Sequence, residues 1–111
     1  MSKPIFVTFG EKKTEQEFEF LKEGKYQHKE MYDFISRAIH DLKSNPACGV
    51  KIKKKLWPRE YVSGYNVTNL WKYNLPNAWR LIYTIKEDEV RILSIILEWF
   101  DHKDYTRKFK Y

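Results

Sequence analysis

Glycine, proline and cysteine are scarce in this sequence: four, four and one in 111 residues. With so few chain breakers and no low-complexity tract, long disordered segments are not expected. A lone Cys48 cannot form an internal disulfide. No apolar run approaches the about 20 residues that a membrane-spanning helix needs. The longest, Ile92 to Phe100, is interrupted by Ser94 and Glu98. The opening Met1-Ser2-Lys3-Pro4 has no secretory pattern. There is no phosphate-binding glycine loop, no HExxH, no paired cysteine and no cluster of metal ligands, so neither cofactor nor metal is expected. Together these absences point to a protein of the reducing cytoplasm with no membrane partner.

What is abundant is apolar and positive. Hydrophobic residues make up 42% and aromatics 17%, enough for a single domain over residues 1–111 with a core that needs no disulfide or metal. The formal net charge is +6, and it is unevenly placed. Residues 1–50 carry eight bases and eight acids. Residues 51–111 carry 13 bases against 7 acids, so the whole excess lies in the C-terminal part. A one-sided excess points to a polyanionic partner, nucleic acid first, with a generally basic surface as the alternative.

Pattern supplies the elements. Residues 4–9 alternate, with Ile5, Val7 and Phe9 on one face of a strand. Residues 11–23 read as a helix that Thr14 and Glu17 could begin by capping-box spacing and Gly24 would end. Met31, Phe34, Ile35, Ala38, Ile39 and Leu42 recur at helical spacing and predict a second helix, stopped by Asn45-Pro46. Residues 46–68 read as a long connection with little regular structure, in which Pro58 could open a short helix through Tyr61 or Val62. From residue 69 the period becomes two. Strands are predicted over 70–75, 79–86 and 90–99, joined by tight turns into an antiparallel meander. Asp101 could cap a final helix through Phe109. The expected class is α+β in the order β-α-α-β-β-β-α, with a helical hairpin on one sheet face and the other face left open for function.

The run Trp79-Arg80-Leu81-Ile82-Tyr83-Thr84-Ile85, then an acidic turn, a long apolar strand and Asp101-His102-Lys103-Asp104-Tyr105, resembles the RelE/ParE toxin superfamily. The motif resemblance covers residues 69–109; the order of elements extends it to nearly the whole chain. It implies a curved antiparallel sheet with a helical hairpin on one side, and a toxin neutralised by a cognate protein antitoxin. The RelE-like branch cleaves messenger RNA, usually on the ribosome. The ParE-like branch inhibits DNA gyrase and is not a nuclease. A non-catalytic module that binds RNA or the ribosome is the remaining reading.

RNA cleavage by 2′-OH attack needs a base, a cation on the phosphate and an acid for the leaving oxygen. It needs no metal, because the attack is internal and already oriented. Arg80 alternates with Trp79 and Leu81, so it should point away from the face that buries them. There a guanidinium can fork onto a phosphate, and the resemblance gives Arg80 that place too. His102, just past the last strand, titrates near neutrality and suits proton transfer. In part of the family a histidine at this junction is catalytic. Lys103 and Tyr105 are candidate helpers, for charge neutralisation and for stacking or proton transfer. Their spacing is shorter than one familiar family pattern, which leaves the identities of acid and base open. Lys51, Lys53, Lys54, Lys55 and Arg59 can track an RNA backbone, with Arg107 and Lys108 adding general attraction.

Overall fold

The structure is a computed structural model, and it describes residues 3–109. The first strand, β1 (Ile5–Phe9), is followed by a helical hairpin, α1 (Lys12–Leu21) and α2 (Tyr26–Ser44). A two-residue strand β2 (Val50–Lys51) and a short helix α3 (Arg59–Tyr65) come next. Then follow β3 (Trp71–Asn74), β4 (Arg80–Glu87), β5 (Ile92–Phe100) and α4 (His102–Phe109). The described residues thus form an α+β structure of four α-helices and one five-stranded sheet, in the order β1-β5-β4-β3-β2.

The meander is present: β3, β4 and β5 pair antiparallel, and β2 extends it beyond β3. The sheet as a whole is mixed, not antiparallel as expected. β1 returns after the hairpin to lie parallel to β5, with Ile5 opposite Ile92 and Phe9 opposite Ile96. A parallel neighbour is what a strand joined to its partner by a long helical crossover can make. Lys3 closes that end, its Nζ donating to Glu87 Oε2 and to the Asp88 carbonyl, both at 2.7 Å.

The stripe on α2 packs as its spacing predicts. Ile35, Ala38 and Leu42 are fully buried, and with Phe18 of α1 they meet Leu81, Tyr83 and Ile96 on one sheet face. Full burial of a leucine, isoleucine or phenylalanine side chain among these contributes about 1.5–3 kcal/mol. α1 starts earlier than the capping-box spacing indicates. Its N-cap is Glu11, and Thr14 is buried within the helix, where it cannot cap.

The opposite face is not open. A second core forms there from Ile52, Tyr61, Val67, Leu70, Ile82, Leu97, Tyr105 and Phe109. The segment 46–68 is therefore structured, because its scattered apolar residues reach this core. Ile52 is 2% exposed and Tyr61 1%. Trp57 Nε1 donates to the Ile52 carbonyl at 2.8 Å, folding the chain back on itself. Pro58 opens α3, which runs to Tyr65, beyond the expected end. The Tyr83 hydroxyl donates to the Pro46 carbonyl at 2.7 Å and accepts from the Gly49 N–H at 3.1 Å. A Cβ at residue 49 would lie 2.5 Å from that hydroxyl and 2.6 Å from the Lys72 carbonyl, so only glycine fits this close approach. Among the described residues no helix is long and apolar enough to cross a membrane.

Candidate functional site

Alternation along β4 decides where Arg80 goes. Leu81 and Tyr83 enter the hairpin-side core and Ile82 enters the second core. Arg80, in phase with Ile82, thus faces the α3–α4 side. Lys72 of β3 lies opposite Ile82 and shares that face. α4 crosses there and places Tyr105 beneath both cations. Arg80 Cζ lies 5.5 Å and Lys72 Nζ 5.2 Å from the Tyr105 ring centroid. Each cation over an aromatic face gains about 0.5–2 kcal/mol from the ring quadrupole. The ring is held from below by Phe109, stacked at 4.7 Å one turn along α4.

The two cations still repel each other. Beyond the ring, Arg80 has little to offset this: Nη1 makes a long 3.4 Å contact to its neighbour's carbonyl, Trp79 O, and Nε is buried without a hydrogen-bond partner among the described residues. No carboxylate pairs with Arg80 among the described residues. An unsatisfied buried N–H on a guanidinium is uncommon and costs about 1–3 kcal/mol. A guanidinium in this position attracts an anion, carboxylate or phosphate.

Tyr105 is 2% exposed. Its ring lies under Lys72 and Arg80, so the expected stacking on an RNA base is not available to it. Its place is that of a platform. Lys72 had not been singled out from the sequence. The only signal for it is the register of a short strand, which brings it across from Ile82 and beside Arg80.

His102 and Lys103 stand at the same end of the sheet, because Phe100 is the partner of Arg80 in the β4–β5 ladder. Asp101 caps α4 as expected, its Oδ1 accepting from the Asp104 N–H at 2.8 Å. This fixes His102 in the first turn of α4, where it is exposed and has no hydrogen-bond or ion-pair partner among the described residues. The structure therefore joins Arg80, Lys72 and Tyr105 directly, and places His102 and Lys103 at the same end of the sheet. Lys51, Lys53, Lys54, Lys55 and Arg59 are all exposed, presented by a loop that Ile52 anchors. Arg107 is exposed and 3.9 Å from Asp104. Lys108 is tied to Glu60 at 3.1 Å and sits 5.6 Å over the Tyr61 ring.

A hollow of about 420 Å³ lies on the flank formed by α1, α3 and β5, lined by Glu11, Glu17, Tyr61, Tyr65 and Glu98 among others. Burial, then the nearby Glu98 carboxylate, raises the Tyr61 phenol far above its ordinary range; its hydroxyl lies beside Glu98 without hydrogen-bond geometry. Tyr65 is pushed up to about 12 by burial and by donating to Glu11 at 2.9 Å. This acidic side is distinct from the cation pair. Among the described residues no group of three His, Cys, Asp or Glu side chains could hold a metal ion. The chain is matched by no protein-family model, no curated protein and no solved structure.

Proposed function

We propose that this chain is a RelE-like toxin of the cytoplasm, a metal-independent endoribonuclease that cuts messenger RNA on the ribosome and is restrained by a protein antitoxin. The observation that carries this reading is the pair Arg80 and Lys72 on the Tyr105 ring, at the end of the sheet where β5 runs into α4. In the proposed reaction the 2′-OH loses its proton and attacks the adjacent phosphate, and the P–O5′ bond breaks as the 5′-oxygen gains a proton, leaving a 2′,3′-cyclic phosphate and a 5′-hydroxyl. Arg80, with Lys72, takes up the charge that grows on the phosphoryl oxygens. His102 moves a proton, and its exposure leaves it free to turn onto bound substrate; Lys103 adds charge nearby. The basic loop from Lys51 to Arg59 gives affinity along the backbone. The antitoxin is assigned to the helical hairpin, where Phe20 and Tyr26 stay 74% and 84% exposed.

The test is expression in cells with RNA ends mapped across the transcriptome. The wild type should arrest growth and produce new ends within coding regions. Arg80→Ala and His102→Ala should each slow cleavage about 10²–10⁴-fold. Equal arrest by all three proteins with messages intact would remove the nuclease. One observation favours a second reading, a ParE-like or ribosome-binding module without catalysis: the His102 side chain has no hydrogen-bond or ion-pair partner among the described residues to orient it for proton transfer. In that case binding, and not RNA ends, would respond to Arg80→Ala.

A further inference from the structure

Two stretches that the sequence separates by about fifty residues meet on the far side of α4. Lys55, Trp57, Pro58 and Arg59 come from the loop before α3, and Lys108 and Phe109 from the last turn of α4. They line a hollow of about 420 Å³, with Leu56 and Glu60 completing the wall. Lys55 and Arg59 are exposed and have no ion-pair partner among the described residues, whereas Lys108 is held by Glu60. Trp57 is half-buried, with its indole N–H used on the Ile52 carbonyl at 2.8 Å. The indole is thus fixed in place while part of it still lines an open hollow rimmed by cations. Aromatic faces flanked by cations are how unpaired bases and their phosphates are held together.

The hollow adjoins the Arg80 site. Phe109, which lines it, is stacked against Tyr105, the platform under Arg80 and Lys72. Four residues of α4, about 6 Å of rise, separate the two aromatic residues. We propose that this hollow is a subsite for one unpaired RNA nucleotide next to the scissile phosphate, with the base on Trp57 and the phosphate on Lys55 and Arg59. This rests on the reading of the protein as acting on RNA. It adds to that reading a preference for single-stranded substrate and a residue, Trp57, that holds the base and takes no part in the chemistry.

The experiment is equilibrium binding of a short single-stranded RNA carrying 2-aminopurine to the Arg80→Ala protein, in which cleavage is slowed about 10²–10⁴-fold. Stacking on Trp57 predicts quenching of the 2-aminopurine on binding. An RNA with an abasic site at that position should bind roughly 5- to 150-fold more weakly. The abasic comparison needs no change at Trp57, so a folding defect cannot mimic it. Lys55→Ala with Arg59→Ala, both at exposed positions, should lower the salt slope of binding by about 0.7, the value for one phosphate on a single strand. Tight binding with no quench and no abasic penalty would overturn the subsite while leaving the nuclease reading intact. Failure of every RNA to bind, on or off the ribosome, would overturn both.

Discussion

The two faces of the sheet are built from different kinds of chain. The hairpin side is made by regular, periodic helices, and its inner surface is apolar: Ile35, Ala38 and Leu42 against Leu81, Tyr83 and Ile96. The other side is made by an irregular loop and two short helices, and its apolar centre is overlaid by cations, with Lys72 and Arg80 on Tyr105 and Lys108 on Tyr61. One sheet thus has a face that supplies stability and a face that positions charge.

If that division holds, mutations on the two faces should separate stability from activity. The largest effect on stability is expected from Leu42→Ala on the hairpin side, about 2–5 kcal/mol by urea denaturation, with cleavage per folded molecule unchanged. Gly49→Ala should cost about 1–3 kcal/mol, because the new methyl meets the Tyr83 hydroxyl and the Lys72 carbonyl; the same melt would reveal it. Tyr105→Leu keeps apolar bulk but removes the ring, so it should cost about 1–2 kcal/mol of stability and lower RNA cleavage by a larger factor than that loss explains. Equal losses in both would erase the proposed distinction between the faces.

The hairpin side also predicts an alkaline limit. Burial pushes the Tyr83 phenol up to about 12, and burial with the Asp41 hydrogen bond at 2.5 Å does the same for Tyr73. Because the folded values lie above the ordinary 10.0, the native state holds these protons more tightly than the unfolded chain. Their contribution is therefore complete below pH 10 and lost between pH 10 and about 12. Stability measured across that window should fall, with phenolate absorbance rising as the protein unfolds. The smallest expected effect is at Ala78, whose φ of 63° places a Cβ-bearing residue in the left-handed region of the β3–β4 turn. Ala78→Gly should leave stability unchanged or raise it by up to about 1 kcal/mol.

Legibility in the sequence followed the same division. The α2 stripe, the three-strand meander and the Asp101 cap could be read because periodicity and local chemistry specify them. The second core could not be, because Ile52, Tyr61 and Val67 have no common period and are brought together only by the fold. Hence the segment 46–68 reads as structureless and the sheet face as open, although both are packed. Arg80 was legible through strand alternation. Lys72 was not, since its place beside Arg80 comes from register across β3 and β4, and the burial of Tyr105, a candidate for stacking or proton transfer by sequence, is likewise set by the fold. The parallel pairing of β1 with β5 is likewise a non-local choice that no window of sequence expresses.

The central claim is that Lys72 and Arg80, seated on Tyr105, hold a phosphate while the neighbouring 2′-OH attacks it. The most direct measurement is end-group analysis of messenger RNA cut on programmed ribosomes by the purified protein in the presence of a chelator. The account predicts 2′,3′-cyclic phosphate and 5′-hydroxyl ends, formed far more slowly by Lys72→Ala and Arg80→Ala. Ends of another chemistry, or the same ends at an undiminished rate from Arg80→Ala, would contradict it.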